Sequence, residues 1–205
     1  PPQHVAWAPA TLKHKTTSQA DPIFFISLYF TIAANAPAFY REVNVFRTPA
    51  VLKEMILYTG KWSNLMAEEP AEAAFLQAIL DCLPDLCKES LPLSLPVPEH
   101  PRLVTLVDWL SEHYDEPFDL KQVTALTLMA SRTLERTFKK ETGISVTSYL
   151  KILRILKSVE WFSTGENNVN AVAYKVGYSS VPTFSNNFQA IMGIRPQEFC
   201  KTLNT

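Results

Sequence analysis

The sequence predicts a mostly α-helical chain. It ends in two copies of a two-helix unit joined by one linking helix, preceded by a partial β segment and two amphipathic helices. Three observations predict this. An apolar skeleton recurs at a shift of fifty, setting Phe138 on Phe188, Gly143 on Gly193, Ile144 on Ile194 and Tyr149 on Phe199. From residue 101 onward apolar residues fall at helical spacing, with stops at Gly143, Gly165, Gly177 and Gly193. Before that region Pro92, Pro96, Pro98 and Pro101 crowd one stretch, which neither a helix interior nor a central strand tolerates.

Residues 1–34 read as β structure. HVAWA, LKHKTT and IFFISLYF are rich in aromatic and β-branched residues, with turn signals at Pro9 and Asp21-Pro22. So few strands cannot cover both faces of a sheet, and the chain opens mid-pattern. Part of this β domain is therefore expected to be missing, by truncation or proteolysis. Residues 49–59 follow as a helix with Val51, Leu52, Met55, Ile56 and Tyr58 at helical spacing, Thr48 as N-cap and Pro49 in its first position. Residues 70–86 form a second helix, with Phe75, Ile79, Leu80 and Leu83 on one stripe. Glu68, Glu69 and Glu72 lie near its N-terminus, where the helix dipole favours them. Two readings stand for this helix pair: a dimer interface, or a cover for the β segment.

Residues 91–100 are the proline-rich linker and the domain boundary. Beyond it, 101–114 carries Leu103, Leu106, Val107 and Leu110. Asp119 can cap a helix over 120–128, and Ser131 one that Gly143 ends. A longer helix spans 146–163, a short one 169–176. Ser180 can cap a helix that ends at Gly193, and 196–203 is terminal.

Each repeat is a short helix, a tight turn, a second helix and a glycine stop, which is the helix-turn-helix pattern. The first lies at about 119–143, the linking helix at about 146–164 and the second at about 168–193. Ala125 and Ala173 are the small residues expected where the two helices meet. They differ by forty-eight, which places two extra residues in the turn GYSS of copy two. Met129 then stands where copy two has a turn glycine.

Net charge is −1, but it is unevenly spread. Residues 1–99 hold seven Lys/Arg and ten Asp/Glu, residues 100–205 twelve and ten, and 131–157 seven and two. A basic patch on a near-neutral chain points to an anionic partner. Cys82, Cys87 and Cys200 have no metal or redox spacing and read as free, buried or half-buried thiols. His4, His14, His100 and His113 form no ligand pair, and no nucleophile motif is present, so the reading is not an enzyme and calls for no cofactor and no metal. No apolar run reaches the ~18 residues of a membrane span. No basic-then-apolar leader opens the chain, so a cytoplasmic protein is expected.

Three stretches carry a resemblance. They are SRTLERTFKKETG, then Leu150, Arg154 and Leu156 in the linking helix, then Ala173 to Phe199 with VGYSS, two phenylalanines four apart and GIRP. Over 101–205, about half the chain, this resembles the DNA-binding domain of the AraC/XylS family of bacterial transcription regulators. The N-terminal half (1–90) resembles that family's sensor and dimerisation region. PPQHVAWAPATLKHKTT looks like the second half of a cupin barrel and FRTPAVLKEMI like the helix that follows one. Pro9 and His14 resemble the second cupin motif, although Thr11 stands where that motif has glycine. A strand histidine is the better reading of His14 than a metal ligand.

The resemblance implies a sequence-specific regulator of a bacterial operon, controlled by a small-molecule effector through the N-terminal region. It implies double-stranded DNA as partner, a homodimer at full length and a possible contact with RNA polymerase. One helix of each repeat would enter successive major grooves. Arg132, Glu135 and Arg136 would then face bases in copy one. The two arginines suit guanine O6 and N7; Glu135 suits cytosine N4, or orients an arginine. Ser131, Lys139 and Lys140 suit phosphates. Copy two offers Val181, Pro182, Ser185 and Asn186 to bases, and Ser180 and Gln189 to phosphates. It carries Asn186, Gln189 and Ala190 where the resemblance leads one to expect cations. Two readings of copy two stand: adenine readout by Asn186 with Val181 against thymine methyls, or a packed support. The alternative function is an interaction adaptor that keeps the fold and has lost DNA binding.

Overall fold

The computed structural model describes residues 4–10, 26–62, 69–87, 91 and 95–203. The chain divides into one unit over Pro2–Leu91 and another over Pro92–Thr205.

In the first unit β1 (His4–Trp7) pairs antiparallel with β2 (Asn44–Arg47), placing Val5 opposite Phe46 and Trp7 opposite Asn44. A one-turn 3-10 helix, Ala38–Arg41, precedes β2. Leu91 extends the pairing, its N–H donating to the Val45 carbonyl at 2.6 Å. Two helices follow, α1 (Ala50–Thr59) and α2 (Pro70–Leu86). The core gathers Tyr40, Phe46, Leu52, Ile79, Leu80, Leu83 and Cys87. The Tyr40 hydroxyl donates to the Leu80 carbonyl at 2.6 Å, so its polar end is satisfied inside the core. Burial pushes the Cys87 thiol up to about 12, which leaves it protonated and inert.

Three expectations are corrected here. Residues 26–30 of the apolar run IFFISLYF form no strand and have no ladder partner among the described residues. A short strand stands instead at Asn44–Arg47, where Phe46 and Val45 are buried. Pro49, rather than Thr48, is the cap residue of α1, and no side chain caps that end. LKHKTT, with His14, lies outside the described residues.

The second unit holds seven helices among the described residues: α3 (Pro101–Glu112), α4 (Leu120–Thr127), α5 (Ser131–Thr142), α6 (Val146–Ser163), α7 (Val169–Lys175), α8 (Val181–Met192) and α9 (Pro196–Leu203). Residue 95 already packs on the core of this unit. The α3 N-terminus is closed from a distance, because Glu141 Oε2 accepts the N–H groups of Glu99 and His100 at 2.9 and 3.0 Å.

α6 is the shared spine. Its first half places Val146, Tyr149, Leu150 and Leu153 in a core with Leu103, Leu106, Leu110, Val123, Leu134 and Phe138. Its second half places Phe162 against Phe184, Phe188 and Phe199, at ring-centroid distances of 6.5, 5.9 and 6.2 Å. Each such buried aromatic contributes about 1.5–3 kcal/mol of burial free energy, so both copies are anchored to one rigid element. Ser145 caps α6 by accepting the Ser148 N–H at 3.1 Å.

Candidate nucleic-acid interface

The two copies align closely. Asp119 caps α4 by accepting from the Lys121 N–H, and Asn168 caps α7 by accepting from Asn170 and Ala171. Val123 and Val172 are fully buried. The turn then needs one residue in the left-handed region: Leu128 in copy one (φ 52°) and Gly177 in copy two (φ 82°). After it the Met129 N–H donates to the Thr124 carbonyl, as the Tyr178 N–H does to Ala173.

These equivalences correct the turn register. The offset is forty-nine through the first helix and the turn, so copy two carries one extra residue, not two. Leu128 rather than Met129 matches Gly177. Thr124, not Ala125, stands at the place of Ala173, and Ala125 is exposed. The sequence pairing of two alanines was misleading, because a threonine fits there with its hydroxyl bonded back to the Lys121 carbonyl at 2.9 Å.

From α5 and α8 onward the offset is fifty. Leu134 and Phe138 are buried in one helix, Phe184 and Phe188 in the other. Both helices end in a left-handed glycine whose N–H returns to the residue four back at 2.9 Å, Gly143 to Lys139 and Gly193 to Gln189. Ser131 is the first helical residue of α5 and not its cap; Ala130 holds the cap position with no side-chain bond. Ser180 does cap α8, accepting the Thr183 N–H at 3.5 Å.

The outer faces differ in charge. Arg132, Arg136, Lys139 and Lys140 are exposed along α5, with Ser131 and Glu135 half-buried beside them. Among the described residues none of these cations is in an ion pair, and Glu135 pairs with neither arginine. On α8 the equivalent face shows Pro182, Asn186, Gln189 and Ala190 exposed, with Val181 and Ser185 half-buried. A cation that sequence reading passes over touches that face. Arg195, beyond the end of α8, donates from Nη1 to Asn186 Oδ1 at 3.2 Å and to Ser185 Oγ at 3.4 Å. A guanidinium is donor-only, so it holds the oxygen of the Asn186 amide and leaves the amide N–H groups outward.

The orientation of the copies is set away from this face. Arg154 of α6 donates from Nε to the Tyr114 carbonyl at 2.7 Å and from Nη2 to the Glu116 carbonyl at 2.6 Å. Its guanidinium also lies 5.7 Å from the centre of the Tyr178 ring. Burial lowers its pKa, against the opposing pull of Tyr178 and Asp115. Gly177 lies against the Asp115 backbone, tying the second turn to the same loop. Elsewhere in copy two Lys175 is engaged by Glu166 at 3.0 Å and by the Trp161 ring at 4.3 Å.

Such a surface can present guanidinium and ammonium donors to phosphates or base edges. Among the described residues no group of His, Cys, Asp and Glu could hold a metal ion, and no helix is long and apolar enough to cross a membrane. A family profile described as a helix-turn-helix domain matches residues 124–202. Over 207 residues the chain is 26% identical to the HTH-type transcriptional regulator NimR of Escherichia coli (strain K12), covering 100% of this chain and 73% of that protein. Over 136 residues it is 27% identical to the HTH-type transcriptional activator RhaS of Escherichia coli O139:H28 (strain E24377A / ETEC), covering 66% of this chain and 47% of that protein. The chain thus spans about half the length of RhaS. Among solved structures it is similar to the DNA-binding domain of AdpA, a global transcriptional factor, in complex with a target DNA. That similarity is 28% identical with a TM-score of 0.47, covering 49% of this chain and 91% of the other.

Proposed function

We propose that this DNA-binding transcriptional regulator of the AraC family grips duplex DNA chiefly through α5, with α8 as a weaker, amide and apolar reader. The observation that carries this is the row of four exposed cations on α5, in no ion pair among the described residues, against the neutral face of α8. In this reading Arg132 and Arg136 take guanine O6 and N7, Glu135 accepts from cytosine N4, and Ser131, Lys139 and Lys140 take phosphates. Val181, Pro182, Ser185 and Asn186 face bases in the neighbouring groove, with Ser180 and Gln189 toward the backbone. Among the described residues Glu135 pairs with neither Arg132 nor Arg136, which supports its role as an acceptor over that of an arginine holder.

The shared α6 supports simultaneous reading, since it fixes both helices on one element. The chain is proposed to act in the cytoplasm on a bacterial operon, as a homodimer at full length, under a small-molecule effector acting through residues 1–90 and in contact with RNA polymerase. Exposed Val51 and Leu57 on α1 support the dimer role. Selection of bound duplexes from a random library tests the function. The expected outcome is two enriched half-sites about one helical turn, ~10 bp, apart. No enrichment over input would contradict it.

A further inference from the structure

We infer that Arg195, outside both recognition helices, is the phosphate-contacting cation of the second copy. This rests on the DNA-binding reading above. Three observations lead to it. Position 186, where copy one has Arg136, holds Asn186, and positions 189 and 190 are Gln and Ala where copy one has Lys139 and Lys140. α8 itself therefore offers no positive charge on its outer face. Arg195 then reaches back about ten residues, from beyond the end of α8, to touch Asn186 and Ser185, and so brings a guanidinium to the middle of that face.

The third observation is what Arg195 lacks. It is exposed, its hydrogen-bond partners are neutral, and among the described residues no carboxylate neutralises it. Of the other cations of copy two, Lys175 is held by Glu166 and Trp161, and Lys201 on α9 is engaged as well. Among the described residues Arg195 is thus the cation seen to touch the outer face of α8. Its backbone lies beyond the C-terminus of α8, at the flank from which phosphates rather than base edges are reached. The contact with Asn186 also keeps the arginine aimed across the helix, so less of its rotamer freedom is lost on binding. The sequence comparison of the repeats cannot show this, because Arg195 aligns with Ser145, a helix cap in copy one.

The test uses the whole 205-residue chain and a fluorescein-labelled duplex carrying the most enriched selected site, with Kd measured from 50 to 200 mM salt. Arg195→Gln is expected to flatten the log–log salt slope by about 0.9, so the variant loses about threefold less affinity than the parent across that range. Arg195→Lys, which keeps the charge, is expected to restore the parental slope. Thermal melting of each variant separates a folding defect from a lost contact. If the parent binds with a steep slope and Arg195→Gln matches it in slope and affinity, this inference is overturned while the DNA-binding reading stands. If the parent itself binds no duplex, or binds without salt dependence, both fall.

Discussion

A Cβ placed on Gly177 would stand 2.6 Å from the carbonyl oxygen of Asp115. The second helix-turn-helix is thus seated against the loop between α3 and α4, and its turn tolerates no side chain. Arg154 holds the same loop from α6. Together they tie α6 and the second turn to the backbone of one loop, which fixes how α5 and α8 are spaced.

Gly177→Ala should destabilise the C-terminal unit by about 2–5 kcal/mol. Left-handed backbone costs a non-glycine residue about 1–2 kcal/mol, and crowding against backbone adds about 1–3 kcal/mol. Gly143→Ala, where nothing lies within 4 Å, should show only the first part. Urea unfolding of both variants decides; equal losses would mean the close approach is not what requires glycine.

Arg154→Met should cost about 1.5–3 kcal/mol, the worth of charge-assisted hydrogen bonds. The low end is favoured, because the bond to Glu116 is exposed. Arg154→Lys should lose about half as much, since one ammonium cannot span both carbonyls as the planar fork does. Unfolding midpoints measure this, and a lysine variant as poor as methionine would contradict it.

Leu128→Gly should stabilise, by about 0.5 kcal/mol. Leu128 is held at φ 52° with 76% of its surface exposed, so little burial is lost. Relief of about 1–2 kcal/mol of backbone strain exceeds the roughly 0.4–1 kcal/mol of added unfolded-state freedom. A fall in melting temperature would contradict the strain argument.

Glu166 should confer a pH-dependent gain. Its hydrogen bond from Lys175, and then that from the Asn168 N–H, holds its carboxyl below the ordinary 4.5. A depressed folded value means the contribution is present above the unfolded value and lost as pH falls through the folded one. The stability difference between the parent and Glu166→Gln should therefore be constant near neutrality and shrink below pH 4.5. A difference that grows on acidification would contradict this.

The helical half was legible because its signals are local. Asp119 and Ser180 cap helices as expected, Gly143 and Gly193 end them, and the buried phenylalanines keep their spacing, although Ser131 is not a cap. What sequence reading missed depends on non-local fit. Leu128 takes a conformation that favours glycine, so residue type points to the turn one residue late. Thr124 stands where an alanine was sought, since its hydroxyl is satisfied locally. Residues 26–30 look like a strand by composition, but a strand exists only with a partner. Arg195 escaped because its relation to Asn186 arises from the fold of the turn after Gly193.

The central claim is that copy one holds the salt-dependent grip. The salt slope of duplex binding by the whole chain tests it most directly, comparing the parent with Lys139→Gln/Lys140→Gln and with Asn186→Ala/Gln189→Ala. The account predicts that the first pair flattens the slope by about two units and that the second leaves it unchanged while weakening binding. Salt-insensitive binding by the parent, or a larger loss of slope from the second pair than the first, would contradict it.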